Sequence, residues 1–324
     1  MKKRRMMNRN YLDFEKPIFE LYNKIEELKK LSGSKKNMDE DIKKIKDKAE
    51  QLRDKIFTHL EPYQIVQIAR HPDRPLTSDY LENVFTDFIE LHGDRLYGDD
   101  KALIGGFAKL DNRPVMVIGH QKGKDTKQNI YRNFGMPHPE GYRKALRLMK
   151  LAEKFSLPVI ALVDVQGAYP GLGSEERGVA EAIARNLQEM MGLKVPIIVI
   201  ITGEGGSGGA LGVAVGNRVA MLTYSVYSVI SPEGCAAILW RDAAMASIAA
   251  ENLGITAPKL LEIGVIDEII EEPQTGAHTD PQKVYKKIKA FLKKELKRYS
   301  QYPLDKLLEE RYQKFRVLGK ITES

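Results

Sequence analysis

The sequence of 324 residues predicts an α/β core with a helical hairpin at its N-terminal end and further helices at its C-terminal end. Three observations carry this. Apolar runs at 158–163, 196–202 and 219–222 lack polar alternation, so they read as short strands buried on both faces. Helical patterns at 140–155 and 174–191 lie between them, and strand–helix alternation marks an α/β core. Residues 11–60 instead repeat apolar positions at steps of three and four among Lys and Glu. Periodicity alone does not separate a doubly wound sheet from a spiral of stacked ββα units.

Each element has its own reason. In the hairpin, Ile18, Leu21, Ile25 and Leu28 form one stripe and Ile42, Ile45, Ala49, Leu52 and Ile56 the other. Ser32-Gly-Ser-Lys-Lys-Asn37 breaks them apart. A stripe this narrow must pack, either with its twin or on a partner subunit. Runs at 102–110 and 114–119 around Asp111-Asn112-Arg113 predict a β-hairpin. In the helix at 140–155, Tyr142, Ala145, Leu146, Met149 and Ala152 make the buried face, and Arg143, Arg147, Lys150 and Lys154 make a basic one. Ser174 is placed to cap the next helix and Gly192 to end it. The last forty or so residues, rich in Lys and Leu, predict helices covering the core.

The most informative stretch is Ile201-Thr-Gly-Glu-Gly-Gly-Ser-Gly-Gly-Ala-Leu-Gly212, set between an apolar strand and a small-residue helix start at Ala210. Successive glycines let another molecule approach the main chain, and a helix N-terminus there offers unpaired N–H groups to an anion. Three readings compete. Gly203-x-Gly205-x-x-Gly208 fits a dinucleotide fingerprint, but no acid follows between Gly205 and Pro232 to bind a ribose. Gly205-Gly206-Ser207-Gly208-Gly209 fits a serine nucleophile elbow, with Asp242 or Asp267 and His278 as partners. The third is an oxyanion hole of backbone N–H groups, in which Ser207 merely permits the turn.

Flanking motifs decide for the third. Upstream lie Asn133-Phe-Gly-Met-Pro-His-Pro-Glu-Gly-Tyr-Arg-Lys-Ala145 and Asp164-Val-Gln-Gly-Ala-Tyr-Pro-Gly171; downstream lies Tyr227-Ser-Val-Ile-Ser-Pro-Glu-Gly-Cys-Ala-Ala-Ile-Leu-Trp240. With Ala69-Arg-His-Pro-Asp-Arg-Pro75, Gly93-Asp-Arg95, Asp99-Asp100 and Gly119-His-Gln-Lys-Gly123, the chain resembles, almost end to end, the alpha subunit of bacterial acetyl-CoA carboxylase carboxyltransferase. It departs at Val165-Gln166, where that family usually has Thr-Pro.

The resemblance implies a crotonase-like ββα spiral, with residues 1–60 as a hairpin contacting another subunit, 61–299 as the carboxyltransferase domain and 300–324 as a helical tail. It implies transfer of the carboxyl group of carboxybiotin to acetyl-CoA, giving malonyl-CoA for fatty acid synthesis. Biotin would be presented by a carrier protein, with no cofactor bound covalently here, and the CoA thioester would be the substrate. The N–H groups of Gly208 and Gly209 would form the hole for biotin, with Ala210 next in line. Arg132 would hold a carboxylate bidentately, or else be a surface arginine. Phe134 joins the substrate-binding set, and Tyr169 and Gly171 would shape the pocket wall. Gln121 and Lys122, and the basic face of the 140–155 helix, would approach CoA, with a solvated face as the alternative for the latter. His71 reads as structural. Implied partners are a zinc-ribbon beta subunit bearing the second hole, a biotin carboxyl carrier protein and a biotin carboxylase, in an ATP-dependent complex with an alpha2-beta2 transferase core.

Composition agrees with this. A lone Cys235 leaves no internal disulfide and no Cys-based zinc cluster, which suits a reducing cytoplasm. The six scattered histidines show no metal-ligand spacing, so no metal is expected. No apolar run approaches a membrane span, and the basic first ten residues lack the apolar core of a secretory signal. The net charge of +7 favours anionic partners (CoA phosphates, an acidic subunit, nucleic acid) or serves solubility alone.

Overall fold

The computed structural model describes residues 10–31 and 36–319. Helices α1 (Lys16–Leu31) and α2 (Lys36–Thr58) lie against each other as the expected hairpin, with Ile18, Ile25 and Ala49 buried. Most of the predicted break, 32–35, lies outside the described residues, and α2 already includes Lys36 and Asn37. The root of the hairpin is fixed to the body, because Ile18 and Phe57 cluster with Ile68 and Tyr224. The two stripes thus cover one another.

Next come α3 (Pro62–Ala69), α4 (Thr77–Val84) and the strands β1 (Thr86–Glu90), β2 (Leu103–Leu110) and β3 (Arg113–His120). The last two form the expected hairpin. After α5 (Thr126–Tyr131) and α6 (Pro139–Lys154), the chain alternates: β4 (Val159–Val165), α7 (Leu172–Glu176), α8 (Val179–Gly192), β5 (Ile197–Gly206), α9 (Ser207–Ala214), β6 (Arg218–Leu222) and β7 (Val226–Ser228). It ends with α10 (Pro232–Trp240), α11 (Ala246–Leu253), α12 (Ala257–Glu262), β8 (Glu268–Ile270), α13 (Pro281–Tyr299) and α14 (Leu304–Arg316).

The sheet runs β1-β2-β3-β4-β5-β6-β8, antiparallel up to β3 and parallel beyond it. Strand β5 serves two partners, β6 along 198–201 and β7 along 204–206. The unbroken apolar runs follow from burial on both faces. Ile197, Val199 and Ile201 pack with α6, α8 and α9 through Leu148, Met190 and Val213. Ile198 and Ile200 point the other way, into a cluster with Tyr80 of α4 and Ile288 and Leu292 of α13.

Three local expectations fail. The helix predicted over 174–191 is two helices, parted at Gly178, whose φ of 76° lies in the left-handed region. Ser174 therefore caps nothing; it is buried, its hydroxyl 2.9 Å from His138 Nδ1. The glycine stretch stays extended to Gly206, so its helix starts at Ser207 rather than Ala210. The tail is also more than a cover. Arg311 of α14 is fully buried and donates to the carbonyls of Met190, Leu193 and Val195 at 2.6–2.7 Å and to Asn217 Oδ1. It meets the C-terminal end of α8, where carbonyls lack partners and the helix dipole favours a cation.

Candidate functional site

Helix α9 opens on a turn that few side chains permit. Ser207 has φ 45° and is exposed, and no side chain caps the helix from Gly206. The first N–H groups of a helix have no partner within it, so those around Gly208 and Gly209 are donors aimed out of the helix end. Their aim is set by contact with the loop that follows β4. A Cβ on Gly206 would collide with the Gln166 carbonyl, and one on Gly209 would lie 2.5 Å from the carbonyl carbon of Gly167. Gly208 differs, since a Cβ there would meet only Ile183, 3.4 Å away. Close approach thus demands glycine at 206 and 209 and not at 208, while Ala210 sends its methyl into the core.

Beside the turn lies a cavity of about 260 Å³ lined by Arg70, Lys122, Phe134, Asp164, Gln166 and Glu204 among others. Gln166 and Glu204 also line a small recess reaching Gly205 and Gly206. Of the predicted site residues, Phe134 faces this cavity, half-exposed and with φ 54°. Arg132 does not line it; it donates to the Lys101 carbonyl at 2.9 Å with its guanidinium near the Tyr131 ring. Tyr169 packs on His138, ring centroids 4.6 Å apart, and Gly171 leaves room for the Tyr169 ring, which a Cβ would strike.

The cavity floor is a chain of ion pairs. Lys122 Nζ lies 2.6 Å from Asp164 Oδ1 and 3.3 Å from Glu204 Oε2. Glu204 Oε1 accepts from Arg70 Nε at 2.7 Å, and Arg70 also reaches Glu233 at 2.7 Å. Burial alone would lower both cations, but Glu204 and Glu233 outweigh it for Arg70, as Asp164 and Glu204 do for Lys122, and both rise. His120, fully buried nearby, is pulled down to about 4 by burial against the opposing charge of Asp164, so its imidazole is neutral. Arg70, Asp164, Glu204 and Glu233 are functional candidates that sequence reasoning missed. Each sits in a motif already singled out, yet their partnership spans up to 163 positions and shows only in the fold.

Other expectations change. Gln121 is buried against α4, accepting from the Ser78 N–H at 2.8 Å. The basic face of α6 divides: Arg143 pairs with Asp94 at 2.8 Å and Arg147 donates to the Gly93 carbonyl, while Lys150, paired with Glu189, and Lys154 are exposed. The serine triad does not assemble, because His278 stacks on His71, Lys314 pairs with Asp267 and Asp242 caps the turn at Ala244. His71, at the edge of the cavity, has its Nε2 2.6 Å from the Asn10 carbonyl and its Nδ1 accepting from the Asp73 N–H.

Comparison with known proteins agrees with this architecture. A family model described as acetyl co-enzyme A carboxylase carboxyltransferase-like matches residues 11–319. The chain is 58% identical over 318 residues to the acetyl-coenzyme A carboxylase carboxyl transferase subunit alpha of Geobacter metallireducens, covering 98% of this chain and 100% of that one. It is 56% identical over 317 residues to the same subunit of Edwardsiella ictaluri, covering 97% and 99%. The transcarboxylase 12S core superposes with a TM-score of 0.56 at 20% identity, over 69% of this chain and 41% of that one, a likeness of fold. The ββα sheet is crotonase-like, and the chain belongs to the acetyl co-enzyme A carboxylase carboxyltransferase-like family.

Proposed function

We propose that this chain works as the alpha subunit of an acetyl-CoA carboxylase carboxyltransferase, with the N-terminus of α9 as the anion-binding half of its site. The observation that carries this is the exposed, uncapped start of α9, keyed to the β4 loop through Gly206 and Gly209. Carboxybiotin brings the carboxyl group and leaves with charge on its ureido oxygen. Fixed N–H donors at Gly208 and Gly209, with Ala210 behind them, stabilise such an oxygen without reorganising, and removing one donor of this kind typically costs ~2.7–4 kcal/mol. Phe134 walls the adjoining cavity and Tyr169 with Gly171 braces the loop. Arg132, held by the Lys101 carbonyl, is ready to take a carboxylate through its remaining nitrogens.

A beta subunit, of zinc-ribbon type, completes the site with the hole for the thioester enolate, in an alpha2-beta2 core served by a biotin carboxyl carrier protein and a biotin carboxylase in the cytoplasm. Support comes from apolar side chains of the β7–α10 stretch, where Val229, Ile238 and Leu239 are 75%, 71% and 64% exposed and Val229 lines a groove with Ser207. Such a patch marks a protein contact. Any contact made by residues 1–60 uses faces other than the stripe that α1 and α2 share. No helix among the described residues is long and apolar enough to cross a membrane. Co-purification of the native protein from its host tests the assembly: a biotin carrier and a zinc-ribbon homologue are expected, and a solitary active monomer would refute it.

A further inference from the structure

Strands β4 and β5 pair in regular parallel register from Val159↔Ile197 to Val163↔Ile201, then resume at Val165↔Gly205. The offset grows from 38 to 40, so β5 carries two extra residues and Asp164 alone faces Thr202, Gly203 and Glu204. Bulges of this kind re-aim a strand, often beside an active site. Here the bulge ends three residues before Ser207.

The side chain of Asp164 fills the gap. Its Oδ1 accepts the Glu204 N–H at 3.0 Å, and a Cβ on Gly203 would lie 2.7 Å from its Cγ. Thr202 is held as well, its hydroxyl donating to the Val163 carbonyl at 3.2 Å and its carbonyl accepting from Arg74 Nε at 2.7 Å. Asp164 is buried, so its carboxylate needs a cation, and Lys122 supplies it from the segment just past β3. Beyond the bulge, Gln166 abuts Gly206 and Gly167 abuts Gly209. A shift of Asp164 therefore moves both surfaces that seat the start of α9.

We infer that Lys122, acting through Asp164, is a positioning residue for the α9 donors. Its ammonium neutralises the carboxylate that replaces the missing ladder bonds, and so sets where β5 ends and where the N–H groups of Gly208 and Gly209 aim. This rests on the reading of α9 as the anion hole.

The test measures steady-state carboxyl transfer by the assembled alpha–beta enzyme, together with its melting temperature. A displacement near 1 Å can cost about 10²-fold in rate. Lys122→Met is accordingly expected to lower kcat by about 10²-fold with KM for either substrate within about threefold. Lys122→Arg should recover most of that loss. The pair Lys122→Met with Asp164→Asn, which keeps an oxygen for the Glu204 N–H and leaves no lone buried charge, should regain about tenfold over Lys122→Met, on the same scale. A Lys122→Met enzyme with unchanged kcat, whatever its melting temperature, overturns the inference. So does a double variant no better than the single one with no rescue by arginine, which would place Lys122 on the substrate itself. Should Lys122→Met not fold, the double variant carries the test: kcat within about tenfold of the parent supports the inference, and a larger loss in a folded enzyme overturns it. Gly209→Val run alongside separates the two readings. Loss of kcat there but not at Lys122 sinks the positioning role alone, while loss at neither sinks the anion hole.

Discussion

Gly209 and Gly167 approach so closely that a single methyl on Gly209 would lie 2.5 Å from the Gly167 carbonyl carbon. Real Cβ contacts do not reach that distance, so only glycine at 209 lets the loop after β4 and the first turn of α9 pack this closely.

The first expected outcome follows directly. Gly209→Val forces the two segments apart and should lower kcat by about 10²–10³-fold, the loss typical of an oxyanion-hole donor. Gly208→Ala meets only Ile183 and should stay within about tenfold of the parent on that scale. Ser207→Gly suits the positive φ and removes the hydroxyl, so it should remain active. Malonyl-CoA decarboxylation in the presence of biocytin and the beta subunit measures all three; an inactive Ser207→Gly would restore the nucleophile reading.

A second outcome concerns dependence on a partner. The chain alone should show no malonyl-CoA decarboxylation above background and should gain it on mixing with the beta subunit. One anion site leaves the enolate without donors. Full activity of the isolated chain would contradict the shared site.

Arg311 makes the third. It is fully buried, and Arg311→Met would leave the carbonyls of Leu193 and Val195 without the donor it supplies and leave Met190 with only the Leu193 N–H. Leaving buried carbonyls unsatisfied should cost about 1–3 kcal/mol each, read as a fall in melting temperature, and Arg311→Lys should restore only part of it because three donors cannot reproduce a planar fork. A melting temperature unchanged in Arg311→Met would show that α14 merely covers the core.

Acid sensitivity is the fourth. Burial raises the Asp94 carboxyl, but the N–H of Leu96, the Arg143 guanidinium and the N–H groups of Tyr97 and Gly98 outweigh it and hold it at about 2. Its folded value lies below the ordinary 3.8, so its contribution is present above pH 3.8 and is lost as pH falls toward 2. His120 acts earlier. Burial lowers it from 6.5 to about 4, so the unfolded chain takes the proton first and stability drains between pH 6.5 and 4. Urea titrations across pH should show this upper slope flatten in His120→Gln; an unaltered slope would assign the loss to other groups.

Much of the molecule was legible in one dimension because its physics is local. Two-sided burial writes itself as unbroken runs such as 196–201, and glycines at 205–209 announce close backbone approach. The long motifs named the family before any coordinate did. Where sequence reading failed, the deciding feature was a single backbone angle or a distant contact. Gly178 breaks a continuous helical pattern through its own φ, Ser174 answers to His138, and the α6 arginines answer to residues 93 and 94. Glycine 208 and glycine 209 look alike in a string; only the Gly167 backbone tells them apart. The chain of Arg70, Glu204, Lys122, Asp164 and Glu233 joins the segments just past α3 and β3 to β4, β5 and α10, and each residue alone reads as an ordinary charge. Sequence by itself determined most of the strands and helices and which glycine-rich turn opens a helix. Tertiary structure decided which glycines are indispensable and which charges are paired, because packing and desolvation depend on what another part of the chain brings within a few ångströms.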